Sequence, residues 1–393
     1  MYKPKERAEK FLLEYQRVWA EINLDNIAHN TKLVRKNISE KTKIMGIVKA
    51  DAYGHGCVEV SKTLLFNGVD MLGAAIVDEG VLIRKNNILE EVLILGYTPP
   101  QKLSEVALYG LTQTVFSFDM AQNLSDIAKK LNKPVDIHIK VDSGMGRLGF
   151  LPSGESVKEI IKISQMPFIN ITGIYTHFAE SNKLGSPFTG LQFNIFTDFL
   201  DKLSPLNIRA AHCSNSGAIL ANNKHNLDIV RAGVILYGLL PSDDFSNFDL
   251  RPAMSLKTQI SYIKELPKGA SVGYGRTYFT SKKTKIATIP VGYADGYLRS
   301  MGNKGRVLIN GEFADVTGGI CMDQFMVDVT HIEGAAPGDL VVLFGSQSGA
   351  EITINEVAAL QGTINYEIVC NIGKRVPRAY MKNNRIMKTI THV

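Results

Sequence analysis

The chain has 393 residues, 45% of them hydrophobic and 21% charged, and carries a formal charge of +6 at pH 7. That length exceeds what one core usually supports, so two domains are expected, with the composition of a soluble globular protein. The basic residues are dispersed, which argues against a nucleic-acid partner, and no run approaches the ~18–20 apolar residues of a membrane span.

Cys57, Cys213, Cys321 and Cys370 are far apart and form no CxxC or CxxH pair, so no metal site is expected and the thiols read as reduced. The amino terminus, Met1-Tyr-Lys-Pro-Lys-Glu-Arg-Ala-Glu-Lys10, is charged and lacks the apolar core of a secretory signal. A cytoplasmic protein is the expectation.

Arg17–Ile22 is strand-like. From Ile44 to about Tyr237, short apolar runs then alternate with helix-period stretches such as Leu191–Leu203. Eight strands are predicted: Ile44–Lys49, Met71–Val77, Val92–Leu95, Thr112–Phe116, Val135–Val141, Ile169–Tyr175, Ile208–His212 and Ile229–Val234. Strands separated by helices pair in parallel, and eight such units close a (β/α)8 TIM-type barrel. An open doubly wound sheet fits the same alternation, but no GxGxxG turn follows the first strand. Lys49, Arg147, His177, Asn215, Ser216 and Arg231 all fall at or just beyond carboxyl ends of predicted strands, where a barrel of this kind builds its site.

After about Ser242 helical periods give way to Ser255–Ile263, Lys285–Val291, Arg306–Ile309, Phe313–Thr317, Gln324–Val329 and Leu340–Phe344, punctuated by turn residues. The expected division is an extension over 1–16, a barrel over 17–245 whose leading strand can join the other domain, and a mostly β domain over 246–393.

One stretch carries most of the chemistry. In Val48-Lys-Ala-Asp-Ala-Tyr-Gly-His-Gly56 a single lysine closes a buried strand. Burial of an amine lowers its pKa and frees its lone pair for Schiff-base formation with an aldehyde; otherwise such a lysine snorkels to water. The string resembles the cofactor-lysine signature of the alanine racemase family, and further segments resemble that family in the same order. Lys140-Val-Asp-Ser-Gly-Met-Gly-Arg-Leu-Gly149, Gly173-Ile-Tyr-Thr-His-Phe-Ala179, His212-Cys-Ser-Asn-Ser216, Val230-Arg-Ala-Gly-Val-Ile-Leu-Tyr-Gly238, Ser271-Val-Gly-Tyr-Gly-Arg-Thr-Tyr278, Cys321-Met-Asp-Gln324 and Gly362-Thr-Ile-Asn-Tyr366 span nearly the whole chain.

The resemblance implies pyridoxal 5'-phosphate as cofactor, bound by Lys49, with Tyr53, Ser216, Tyr366 and the backbone N–H groups of Gly233 and Val234 at the phosphate. It places Asn215 at the ring, Arg147 at the phenolic oxygen or the substrate carboxylate, and Met322 at the substrate through its backbone. His177 would lie beside the cofactor, and Lys140 matches a lysine that is often carbamylated. Arg231 would face the pyridine nitrogen; arginine does not deprotonate, so it cannot hand the ring a proton. The ring then becomes a weaker electron sink, which suppresses transamination. Lys49 and Tyr274 would be the two opposed bases, the tyrosine favoured as phenolate by Arg231 and His177.

The implied activity is interconversion of L- and D-alanine, supplying D-alanine for peptidoglycan, in a homodimer with shared sites. Gly273, Gly319 and Glu180-Ser-Asn182 depart from common family residues and bear on substrate range, so serine or a broader set of amino acids is the alternative substrate. A non-catalytic pyridoxal-phosphate carrier would lack the domain holding Tyr274. A decarboxylase would carry an acid where Arg231 stands.

Overall fold

The computed structural model describes residues 16–221 and 223–391; the expected extension over 1–16 lies outside them except for residue 16. The described residues form two compact units, one within 26–251 and the other from 16–25 together with 252–391.

The first unit is a parallel eight-stranded barrel: β2 (Lys43–Ile47), β3 (Met71–Ala74), β4 (Val92–Ile94), β5 (Thr112–Val115), β6 (Val135–Lys140), β7 (Ile169–Tyr175), β8 (Ala210–His212) and β9 (Ile229–Ala232), numbered after a leading strand β1 (Val18–Asn23). The hydrogen-bonded order runs from β8 through β7 to β2 and on to β9. The seam between β8 and β9 is bridged by Arg231 N–H to Ser214 O at 2.9 Å and Asp228 N–H to Ala211 O at 3.1 Å. Fully buried Val92, Leu93, Ile94, Ile137 and Ile139 fill the strands on both faces, as a sheet covered by helices requires.

Caps set the helix bounds where the sequence supplies them. The helix Phe118–Leu131 starts where Ser117 Oγ accepts from Met120 N–H, and ends at Asn132 in the left-handed conformation. The expected helix around Leu191–Leu203 runs over Pro187–Lys202. The two ends of the barrel unit are tied together. Asn30 Nδ2 donates to Arg251 O and Arg251 N–H donates to Asn30 Oδ1, both at 2.9 Å, while His29 Nε2 lies 2.8 Å from Asp249 O.

The second unit is mostly β, in chain order β10 (Met254–Gln259), β11 (Tyr262–Leu266), β12 (Ser271–Val272), β13 (Tyr278–Phe279), β14 (Thr284–Ile289), β15 (Arg306–Ile309), β16 (Glu312–Asp315), β17 (Phe325–Asp328), β18 (Leu340–Gln347), β19 (Ala350–Ile352), β20 (Arg378–Lys382) and β21 (Arg385–Ile390). The larger sheet has the order β16-β15-β18-β10-β1-β20-β21, so β1 sits in its middle, antiparallel to β10 and parallel to β20. The predicted strand Ser255–Ile263 is two strands: β10 pairs with β18, whereas β11 turns away to pair with β14. The first predicted barrel strand is also shorter than expected, ending at Ile47 rather than Lys49.

Candidate active site

Lys49 opens a five-residue turn of unusual handedness. Ala50, Asp51, Ala52 and Tyr53 have φ of 52, 53, 54 and 53°, a left-handed helical turn that costs L-residues roughly 1–2 kcal/mol each. The turn is held from outside: Glu79 accepts Ala50 N–H at 2.6 Å and Ala75 N–H at 2.7 Å, and Asp51 Oδ1 accepts Cys57 N–H at 2.7 Å. Such strain persists only where surrounding structure over-determines it, and it clusters at functional sites. The expected buried amine is not observed. Because the strand stops at Ile47 and the turn begins at Lys49, the lysine is exposed while Tyr53 is carried into the barrel mouth and buried.

Three groups converge beside that turn. Gly233 N–H donates to Ser216 Oγ at 3.0 Å, and a Cβ placed on Gly233 would lie 2.9 Å from Tyr53 Oη and 3.5 Å from Ser216 Oγ. A glycine is needed there because any side chain would fill the cradle. Asn215 is the cap of the helix Ser216–Ala221: its Oδ1 accepts from Ala218 N–H at 3.2 Å and from Ser181 Oγ at 2.6 Å. Val234 begins the 3-10 turn Val234–Tyr237.

Arg231, buried in β9, is the best-connected side chain of the site. Its Nη1 donates to His212 Nδ1 at 2.7 Å, and its Nη2 faces Thr176 O at 2.7 Å, Cys213 O at 2.8 Å and His177 Nδ1 at 3.2 Å. The guanidinium also lies 5.1 Å from the centre of the Tyr175 ring, which stacks on His212 at 4.6 Å. Since arginine has no acceptor, the nitrogen of each histidine that faces it must hold a lone pair. Burial, reinforced by Arg231, holds His177 and His212 well below the usual imidazole range. His177 is therefore neutral. A neutral His177 adds no positive charge beside Arg231.

Lys140, at the end of β6, is buried and donates to Val141 O at 2.7 Å. Burial, with repulsion from Arg231, pushes its ammonium down to about 7. Asp142 follows it, its Oδ1 accepting from Gly144, Met145 and Gly146 N–H at 2.8 to 3.1 Å. Burial opposes that charge, yet these amides outweigh it and hold the carboxyl below its usual range. The same amides shape the turn that carries exposed Arg147.

In the second unit Tyr274 is 75% exposed on the 3-10 turn Tyr274–Arg276, between Gly273 and Gly275, both at φ of 74°. It lines a cavity of about 370 Å³ with Tyr293, Arg299, Ile320 and Cys321. Met322, also exposed, is set by its carbonyl accepting Ala294 N–H at 3.1 Å. Beneath it, fully buried Asp295 receives Arg17 and Arg375 at 2.6 to 2.9 Å, and Arg375 also reaches Asp323 at 2.6 Å. Tyr366 is half-buried on the helix Asn365–Cys370, and burial pushes its phenol up to about 12.

The structure thus gathers Tyr53, Lys140, His177, Ser216, Arg231 and Gly233 at the carboxyl end of one barrel, and sets Tyr274 and Met322 on neighbouring turns of the other unit. His138, His212, Tyr175 and Asp295 were not singled out from sequence. Among the described residues no cluster suited to a metal ion occurs, and no helix is long and apolar enough to cross a membrane.

The family model "Alanine racemase, N-terminal domain" matches residues 22–241, and "Alanine racemase, C-terminal domain" matches residues 253–380. An alanine racemase of Clostridium perfringens is 45% identical over 380 residues, covering 96% of this chain and 98% of its own. The solved alanine racemase of Clostridium difficile 630 superposes with a TM-score of 0.93 at 43% identity, covering 96% of this chain and 99% of that one. Its complex with cycloserine gives 0.91 at 41% identity over the same shares. The barrel, the β unit and these matches over nearly the full length place the chain in the alanine racemase family.

Proposed function

We propose that the protein interconverts L- and D-alanine with pyridoxal 5'-phosphate, and that this supplies D-alanine for peptidoglycan precursors. The observation that carries the reading is the cradle of Gly233, Ser216 and Tyr53 beside a buried Arg231 held against His212. A backbone N–H, a hydroxyl and a phenol around a gap that one Cβ would fill suit a phosphate group. Val234 N–H and Tyr366 would complete that end, Asn215 would border the ring, and Lys49 would hold the cofactor covalently. When bound, the cofactor supplies an electron sink for the carbon that loses its proton.

The chain's own residues do the rest. Lys49 accepts or returns the Cα proton on one face and Tyr274 does so on the other, which inverts the centre. Arg231 would face the ring nitrogen of the bound cofactor, and because a guanidinium does not give up its proton, that nitrogen would stay unprotonated, favouring proton return over side reactions. Arg147 and the backbone of Met322 hold the substrate carboxylate. Lys140, with an amine half-neutral near pH 7, is suited to react with carbon dioxide, and the resulting anion would steady Arg147. Tyr274 is supplied by the partner protomer of a homodimer. That the C. difficile relative forms a complex with cycloserine supports a site for a small ligand here.

The test is Tyr274→Phe, followed by exchange of the Cα hydrogen for deuterium across a panel of amino acids. Racemisation should collapse while cofactor absorbance persists, with alanine the fastest substrate; an undiminished rate refutes the two-base assignment. A serine rate exceeding alanine would move the substrate to the alternative.

A further inference from the structure

We propose that Glu91, at the amino-terminal end of the barrel, is a positioning residue for Arg231 and acts across the barrel through His138 and His212. This goes beyond the functional reading but rests on its placement of Arg231 at the ring nitrogen. The contacts form one continuous file. Arg231 Nη1 lies 2.7 Å from His212 Nδ1, and His212 Nε2 lies 2.9 Å from His138 Nδ1. His138 Nε2 lies 3.7 Å from Glu91 Oε1, which also accepts from Thr112 Oγ1 at 3.2 Å. His138 and His212 are buried, while Glu91 is half-exposed.

While both contacts are kept, the proton positions in this file follow from the guanidinium at its inner end. A guanidinium only donates, so His212 Nδ1 holds a lone pair and the ring's one proton must sit on Nε2. That N–H can only donate to His138 Nδ1, which therefore also holds a lone pair. The proton of His138 is then on Nε2, directed at the Glu91 carboxylate. The opposite polarity would require His212 to carry no proton at all, so one arrangement survives. Neither ring can become an imidazolium without breaking the file.

Glu91 sits where this polarity ends. At 3.7 Å the contact is too long for a hydrogen bond and too short for a bridging water, so it acts as an anion facing the positive end of two aligned imidazoles. The Nε2–H and Nδ1–H forms of a free imidazole differ little in energy, so an acceptor at one end selects between them. Without Glu91, His138 gains an Nδ1–H form that faces His212 Nε2–H, donor against donor. His212 must then tilt, and Arg231 loses an acceptor. The His138 ring packs directly on the bare backbone of Gly173 in β7, where a Cβ would lie 2.5 Å from it.

The experiment combines long-range proton–nitrogen correlation on holoenzyme labelled with nitrogen-15 in histidine with steady-state kinetics on Glu91→Gln and Glu91→Leu. The native protein should show neutral Nε2–H rings for His138 and His212, and Glu91→Gln, which loses the charge but keeps an oxygen dipole, should shift tautomer and kcat in the direction of Glu91→Leu by a smaller amount. Glu91→Leu should show an Nδ1–H component on His138 and a kcat lower by about 3- to 10-fold, the loss of one hydrogen bond, with KM unchanged. An Nδ1–H on either ring in the native spectrum overturns the proposal. So does Glu91→Leu with unaltered tautomers, or with altered tautomers and native kcat. If Glu91→Leu does not fold, the native spectrum and the Glu91→Gln pair decide in the same way. A native protein inactive on every amino acid would refute the functional reading while leaving the tautomer result to stand.

Discussion

Gly173 in β7 faces the imidazole of His138 in β6 so closely that a methyl group on it would sit 2.5 Å from two ring atoms and 2.6 Å from a third. The two residues are paired across neighbouring strands of the barrel. Gly173→Ala should therefore overpack the barrel and destabilise it by about 1–3 kcal/mol. Thermal unfolding of the purified variant checks this; an unchanged midpoint would mean the His138 ring swings aside freely.

Three histidines whose imidazoles lose water in the folded barrel make it acid-sensitive. Burial, with Arg231 adding repulsion, lowers His138 to about 3, and His177 and His212 also lie well below 6.5. The unfolded chain thus binds more protons than the folded one as pH falls below about 6.5, and stability is lost over that window. The expected slope is about 1.4 kcal/mol per pH unit for each histidine. Urea denaturation between pH 7 and 4, compared with His138→Asn, should show a shallower slope in the variant; identical slopes would exclude His138 as a contributor.

Lys140 gives a separate dependence on carbon dioxide. Its ammonium is pushed down to about 7, so the neutral amine, the form that reacts, grows as pH rises through that value. Carbon-13 bicarbonate should produce a carbamate resonance that strengthens from pH 6.5 to 8 and is absent in Lys140→Met. Full activity with a free ammonium at Lys140 would remove the carbamate from the proposed function.

The cradle can be closed deliberately. Gly233→Ala places a methyl group 2.9 Å from Tyr53 Oη and should weaken retention of pyridoxal phosphate by about tenfold, or about 1.4 kcal/mol. Fluorescence titration of the stripped protein measures this, and native affinity would show that phosphate binds elsewhere.

In the β unit, Asp295→Asn should cost about 2–3 kcal/mol. It removes charge from hydrogen bonds to Arg17 and Arg375, whose half-exposed guanidinium groups soften the loss. Because Gly292 N–H also donates to this carboxylate, and Tyr293 and Ala294 bond the Cys321 and Met322 carbonyls, KM for alanine should rise as well. A stability loss with native KM would confine Asp295 to a structural part.

Much of this architecture was legible because barrel strands are apolar runs with helix-period spacers. Ile169–Tyr175 matches residue for residue, and the other seven predicted strands run one to three residues long at one end. Lys49 misled because an apolar run does not announce where extended geometry stops; four successive positive φ angles have no side-chain signature beyond Gly54 and Gly56. The β unit was harder to read. Strand β20 pairs in parallel with β1 some 360 residues earlier, a contact no local pattern encodes. His138, Tyr175 and His212 were passed over as ordinary members of buried strands. The signal was there in β6: Asp136, His138 and Lys140 occupy alternate positions, so three polar residues alternate with Val135, Ile137 and Ile139, and His138 and Lys140 are buried.

The clasp between Asn30 and Arg251 has a consequence for how this protein is born. On the ribosome β1 emerges first but cannot find β10 until more than two hundred further residues have been made. Joining two such distant points of a loose chain carries a heavy closure entropy. Once the intervening barrel has folded and its ends are fastened, the open loop shrinks to the few residues on either side of the fastening. The early strand then waits beside the place where its partner will appear, and the later sheet assembles around a junction already made.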